Sequence, residues 1–375
     1  MPKINTKKTG AIPSQLIKKM IAESEIIDAK KDSIQPASID LRVSNEGYRM
    51  KGTFLPRRGE SVRAIIKNES LYKIDLSNPL EKNGVYLIRI IENLALPPEI
   101  FAYASSKSST GRVDLQTRLI VDNNSRFDDV PCGYKGELWL QLIPKSFLIK
   151  LNAEDKLNQL RFFNGDAKLS RSEMLKLYRS DDLLVDENSR PIDPDQKLTQ
   201  NQGCNLTMCI NLVGSDASNI IGYKNLLVDQ VLDYSKRNYY DMNDFFEPIC
   251  EPKDGKLILE KGSFYIFSTK EMIRVPRDYS AEMIAYDIFT GEFRSHYAGF
   301  FDPGFGYGEK GEVKGRQAVL EVRSFDSNFI FRDGQPICQM NYENLTESPD
   351  FVYSEKIGSH YANQKGPKLS KHFKN

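Results

Sequence analysis

Short runs in which apolar and polar residues alternate, each stopped by glycine, proline, asparagine or aspartate, recur along most of the 375-residue chain. This punctuation predicts strands and a mainly β fold. The segments 85–91, 137–143, 263–267 and 317–322 carry it most clearly. Helical spacing is rarer. Near the start Leu16, Ile17, Met20 and Ile21 share one face, with Ser14 as N-cap. From about 164 to 201 a charged stretch interrupts the strand pattern. In it Ser170 and Glu173 have capping-box spacing, and 188–196 is rich in turn residues.

An internal repeat divides the chain. Thr110-Gly111 matches Thr290-Gly291, Asp122 matches Asp302, Leu140 matches Leu320 and Gln159 matches Gln339, each at an offset of 180. The unbroken register implies a duplication with diverged halves. The expected organisation is an N-terminal half over 1–163, a connector with a helix over 164–205, a C-terminal half over 206–345 and a tail over 346–375.

The length suits two domains of ~150 residues. Fifty-two Lys and Arg nearly cancel 51 Asp and Glu, which argues against a nucleic-acid binder held by a diffuse basic field. No apolar run is long enough to cross a bilayer, and no secretory h-region follows the first lysines. Five scattered cysteines read as free thiols of a cytoplasmic protein.

Three segments carry candidate chemistry. In Ser106-Lys107-Ser108-Ser109-Thr110-Gly111-Arg112, small residues allow close approach of a phosphate and two cations attract it; a plain polar turn is the alternative. In Gln317-Ala318-Val319-Leu320-Glu321-Val322, Glu321 shares a face with Val319. A carboxylate held beside apolar groups suits a general base, whereas an ordinary strand glutamate faces solvent. The tail Tyr361-Ala362-Asn363-Gln364-Lys365-Gly366-Pro367-Lys368-Leu369-Ser370 suits a flap over an anionic, ring-containing ligand, or a frayed end. Under the flap reading, deletion from Tyr361 leaves the fold intact.

Together these segments resemble the dCTP deaminase family. Ile34-Gln35-Pro36-Ala37-Ser38-Ile39-Asp40-Leu41-Arg42 is similar to its N-terminal strand signature, and Ser108-Ser109…Arg112 to its phosphate-binding element. Asp302-Pro303-Gly304 followed by Leu320-Glu321 resembles its turn and catalytic-glutamate strand, and Tyr361…Gln364-Lys365-Gly366-Pro367…Ser370 its closing tail. Order and coverage match the fused, double-length form. The resemblance implies two dUTPase-like distorted, jelly-roll-like β-barrel halves with a few short helices. It also implies a trimeric or pseudo-trimeric homo-oligomer with sites at subunit interfaces. The implied reaction is zinc-independent hydrolysis of dCTP to dUTP and ammonia, feeding dUMP and dTTP synthesis.

Carried over by position, Glu321 is the general base and Ser108 and Arg112 support it. Lys107, Ser109, Thr110, Gly111, Ala298, Asp302, Tyr361, Gln364 and Lys365 are the implied substrate contacts. Magnesium would accompany the triphosphate, and dTTP would be an effector. The halves depart from a simple tandem. Gln141 stands where the first half's glutamate belongs, and Ile288, Phe289 and Glu292 replace the second half's Ser-Ser-Arg. Ser108 and Arg112 from one half with Glu321 from the other would make a composite site; Arg294 is the alternative partner for Glu321.

Zinc-type deamination needs His-x-Glu and Pro-Cys-x-x-Cys. None of His296, His360 and His372 is followed by x-Glu, and no two cysteines are three apart. The rivals are a dUTPase or bifunctional deaminase–diphosphatase, motivated by Gly133-Tyr134-Lys135-Gly136-Glu137, and a non-catalytic nucleotide-binding regulator, motivated by Gln141.

Overall fold

In a computed structural model, which describes residues 8–198, 205–214, 218–285, 293–294, 299–324, 327–354 and 366–374, the alternating segments are strands. The first half comprises α1 (Ser14–Ala22), β1 (Ile39–Met50), α2 (Val62–Glu69), β2 (Tyr86–Ala95), β3 (Ile100–Ser106), α3 (Ser108–Gly111), β4 (Leu115–Ile120), β5 (Lys135–Pro144), β6 (Leu148–Lys150) and β7 (Lys156–Asn164). Its main sheet is antiparallel, in the order β4-β5-β2-β1-β7-β3. The two ends of that order are consecutive in the chain and joined by α3, so the sheet curls into a nearly closed barrel. Across the seam Ser106 Oγ and Thr117 Oγ1 lie 2.6 Å apart, and Asn158 Nδ2 donates to the same threonine oxygen at 3.2 Å. Buried side-chain bonds bridge what the ladder leaves open.

After α4 (Arg171–Asp181) come β8 (Leu206–Cys209), β9 (Ile220–Asn225), β10 (Val231–Asp233), β11 (Phe264–Ile273), β12 (Tyr279–Ala285), β13 (Phe300–Phe301), β14 (Arg316–Ser324) and β15 (Pro336–Asn344). The pairings echo the first half. Leu140 on β5 faces Ile88 on β2, and Leu320 on β14 faces Phe267 on β11. Gln159 on β7 faces Ser105 on β3, and Gln339 on β15 faces Ile284 on β12. Two of the 180-residue matches thus occupy like rungs. One difference is plain: β1 pairs with both β7 and β2, a task divided between β8 and β9 in the second half.

The α4 capping box is present, with the Ser170 side chain accepting from the Glu173 amide. At α1 the cap position is Pro13, and Ser14 is the first helical residue; the fixed φ of proline is pre-organised for a helix start. The expected connector is more than a spacer. Met174, Leu177 and Tyr178 are buried in the second half's core, and Leu184–Val185 pairs with β11. The first half's core in turn takes in Leu232, Phe245, Phe264 and Ile266, and β6 pairs in parallel with β10. The halves therefore meet through buried apolar surface, the dominant favourable term in folding.

Candidate active site

The Ser-Ser-Thr-Gly-Arg segment is the single turn α3. Lys107 caps it with extended backbone, and the amides of Thr110, Gly111 and Arg112 close onto the carbonyls of Lys107 and Ser108. Lys107, Ser108, Ser109 and Arg112 line a cleft of about 580 Å³. Thr110 and Gly111, expected as ligand contacts, face the interior instead. Both are buried, and the Thr110 hydroxyl donates to the Leu157 carbonyl at 2.9 Å. So tight a turn cannot present every residue outward. Lys107 Nζ reaches Asp40 Oδ1 at 2.5 Å, and the buried Arg112 donates to the Lys368 carbonyl at 3.0 Å.

Strand β14 is covered on both faces. Ala318, Leu320 and Val322 pack in the second half's core, while Val319 joins the core of the first. Glu321, on Val319's face, is 2% exposed and lines the same cleft as Ser108 and Arg112. A solvent-facing strand glutamate does not describe this residue. Phe300, Phe301 and Phe305 line the cleft too and offer apolar surface to a flat ring. Gly304 closes the Asp-Pro-Gly turn at φ +89°, where a Cβ would meet Val352 at 2.6 Å.

The cleft carries both signs of charge, with Lys107, Arg112, Lys156, Arg237 and Lys371 among Asp32, Asp40, Glu154, Asp155, Asp302 and Glu321. Lys371 lines the cleft and is pushed down to about 8, by burial and then by the neighbouring Arg237 and Lys107. An anion placed among these cations relieves their repulsion. Burial pushes Asp155 up to about 6. Burial likewise holds the Asp302 carboxyl above its ordinary range, against the pull of Arg161. Arg161 is fully buried; it lies 3.6 Å from Asp302 Oδ1 and donates to Glu343 Oε2 at 3.0 Å.

Of the other expected site residues, Ala298, Tyr361, Gln364 and Lys365 lie outside the described residues, as do Ile288, Phe289 and Glu292. Arg294 pairs through its backbone with Arg323 of β14. The last part of the tail is docked. The Gly366 amide donates to Gln317 Oε1 at 2.9 Å, and Leu369 and Phe373 enter the first half's core. Deletion from Tyr361 would strip these contacts, so it is expected to lower stability as well as activity. Sequence reasoning singled out neither Arg161 nor Tyr234, and passed over Asp40 within its signature. Asp40 alternates with Ile39 and Leu41 as a solvent-facing residue would, yet β1 is buried on both faces there.

Gln141 occupies on β5 the rung region that Glu321 occupies on β14, but its surroundings differ. It faces Leu87, which clusters with Trp139 and with Val62, Ile65 and Ile66 of α2. Helix α2 covers this face, and Gln141 Oε1 is buried with no hydrogen-bond partner among the described residues. Gln141→Glu is therefore expected to leave turnover unchanged and to lower stability by roughly 1–3 kcal/mol, the cost of an ill-paired buried polar group. Denaturant melts and a deamination assay check both; a clear rise in kcat would reveal a competent site in the first half.

The chain matches the family model of the 2'-deoxycytidine 5'-triphosphate deaminase N-terminal domain over residues 8–166 and that of the C-terminal domain over 170–373. The dUMP-forming dCTP deaminase of Dictyoglomus turgidum is 31% identical over 144 residues, 37% of this chain and 68% of that protein. The dUMP-forming dCTP deaminase of Streptomyces griseus is 33% identical over 129 residues, 33% of this chain and 63% of that protein. The crystal structure of 2'-deoxycytidine 5'-triphosphate deaminase from Agrobacterium tumefaciens superimposes with a TM-score of 0.83 at 37% identity, covering 92% of this chain and 97% of that one.

Proposed function

The chain belongs to the dCTP deaminase family and is a hydrolytic deaminase of dCTP; from that premise we propose that Glu321 activates the attacking water, with Ser108 and Arg112 supporting it from the other half. Glu321 takes a proton from water as its oxygen bonds to C4 of cytosine. The C4–N bond then breaks, and the same carboxyl returns the proton to the departing amino group, which leaves as ammonia. The observation that supports this reading is that all three residues line one cleft within one chain. Burial strengthens each charge-assisted contact made there.

Magnesium enters with the triphosphate, as part of the substrate. The protein assembles as a trimeric or pseudo-trimeric homo-oligomer, takes dTTP as an effector, and descends from an internal duplication. Free thiols at Cys132, Cys209, Cys250 and Cys338 support a cytoplasmic setting. No helix among the described residues is long and apolar enough to cross a membrane.

The test is incubation with dCTP and magnesium, with ammonia, dUTP, dUMP and pyrophosphate measured together. Ammonia and dUTP in equal amounts are expected, undiminished by a zinc-specific chelator. Stoichiometric zinc whose removal stops the reaction would defeat the mechanism. The Dictyoglomus and Streptomyces relatives are dUMP-forming, and in a second reading ammonia would come with dUMP and pyrophosphate. Absence of ammonia would leave a nucleotide-binding regulator.

A further inference from the structure

We propose that Tyr234 is a positioning residue for the α3 turn, locked from behind by the docked C-terminal segment; this rests on the proposed deamination of dCTP in this cleft and on the reading of that turn as its phosphate-binding element. Tyr234 directly follows β10, and its amide donates to the Lys150 carbonyl at 2.9 Å, which fixes it against the first half. Its side chain is buried and lines the cleft. The phenol oxygen lies 2.8 Å from Ser109 Oγ and 2.8 Å from Thr110 Oγ1.

The direction of these bonds follows from proton inventory. The Leu157 carbonyl can only accept, so the Thr110 hydroxyl donates to it and is left to accept from Tyr234. With its own proton committed, Tyr234 accepts from Ser109; the Lys156 carbonyl, at 3.3 Å, is the longer contact. The chain runs from Ser109 through Tyr234 and Thr110 to Leu157. Ser109 thereby gives its proton to the protein, not to a ligand, and its hydroxyl holds the turn's shape. Donation to the anion falls to Ser108, Lys107 and Arg112.

The C-terminal segment closes the arrangement. The Ser370 hydroxyl donates to the Ser109 carbonyl at 2.9 Å, and the Lys368 carbonyl accepts from Arg112 at 3.0 Å. The fully buried His372 ring lies 4.6 Å from the Tyr234 ring, with Nδ1 2.7 Å from the Lys236 carbonyl. One stretch of chain thus grips the turn at Ser109 and Arg112 and packs on the tyrosine that braces it.

The test uses the full-length protein and reads KM, kcat and calorimetric dCTP affinity. Tyr234→Phe keeps the ring and removes the bond; KM and Kd are expected to rise about 3- to 10-fold, with kcat at saturating dCTP nearly unchanged. Ser109→Ala should show the same split. The double variant should be no worse than the worse single one, because both changes break one chain. Tyr239→Phe, at an exposed ring, is the control and should change nothing. Multiplying effects in the double variant, or a Ser109→Ala defect with Tyr234→Phe unaffected, would make Ser109 a direct ligand contact and overturn the proposal. If Tyr234→Phe does not fold, Thr110→Val breaks the same chain with the ring in place and must give the same split. If Arg112→Ala also binds dCTP normally, the turn's anion-binding role fails as well.

Discussion

Glu321→Gln is expected to reduce turnover by about 100- to 10,000-fold while dCTP binding stays measurable, because it removes the proposed general base and keeps the side chain's size. Glu321 is 2% exposed, on a strand whose two faces are packed in different cores, so the replacement amide has little freedom to move. An amide has no proton-accepting form near neutral pH, so the loss falls on kcat. Single-turnover kinetics with calorimetry separate that loss from a loss of affinity. Retention of more than a tenth of the parent kcat would remove Glu321 from its assigned role. The proposed composite site adds a second expectation. Arg112 and Glu321 line one cleft of one chain, so mixing Arg112→Ala protein with Glu321→Gln protein restores no activity even when subunits exchange. Restored activity would mean that these residues complete each other's sites across chains.

Legibility varied with the kind of force involved. Strands such as β5 and β14 are readable because turn residues bound them and their apolar period is local. The 180-residue offset is readable for the same reason, since like strands at like rungs impose like patterns. Burial on both faces is not a local property. In isolation Glu321 and Asp40 read as outward residues, yet tertiary packing buries both. Gln141 shows the converse. Sequence comparison identifies the missing glutamate there, but that α2 seals the face is a tertiary fact. Tyr234 had no signal at all. It sits in a loop after a three-residue strand, and its partners are 124 and 125 positions away.

Arg161→Ala should cost about 3–5 kcal/mol of stability, the penalty for removing one partner from a buried charged group. Arg161 is fully buried, and its guanidinium donates to three acceptors of the second half and faces one further carboxylate. The acceptors are Glu343 Oε2 at 3.0 Å and the Ala281 and Phe301 carbonyls at 3.1 and 3.2 Å, and the ion-pair contact is Asp302 Oδ1 at 3.6 Å. Nearby Glu282 is already pushed up to about 7, by burial and then by Glu343, with Arg161 opposing both. Without Arg161 these carboxyls must take up protons or remain charged and uncompensated. The sign of the pH dependence follows. A carboxyl whose folded-state pKa is raised binds its proton more tightly folded than unfolded, so stability falls as pH rises between the two values. Asp302 and Glu282 are raised already, and the variant raises them further. The deficit relative to the parent is therefore expected to be largest at pH 7 to 8 and to shrink toward pH 5, where protonation removes the charges. Denaturant melts across that range read it directly. Arg161→Lys, which keeps the charge but not the planar fork, should lose less at every pH. A deficit of the same size at all pH values would mean that Arg161 acts through packing on Phe300, whose ring centre lies 4.2 Å from the guanidinium carbon, and not by compensating buried carboxylates.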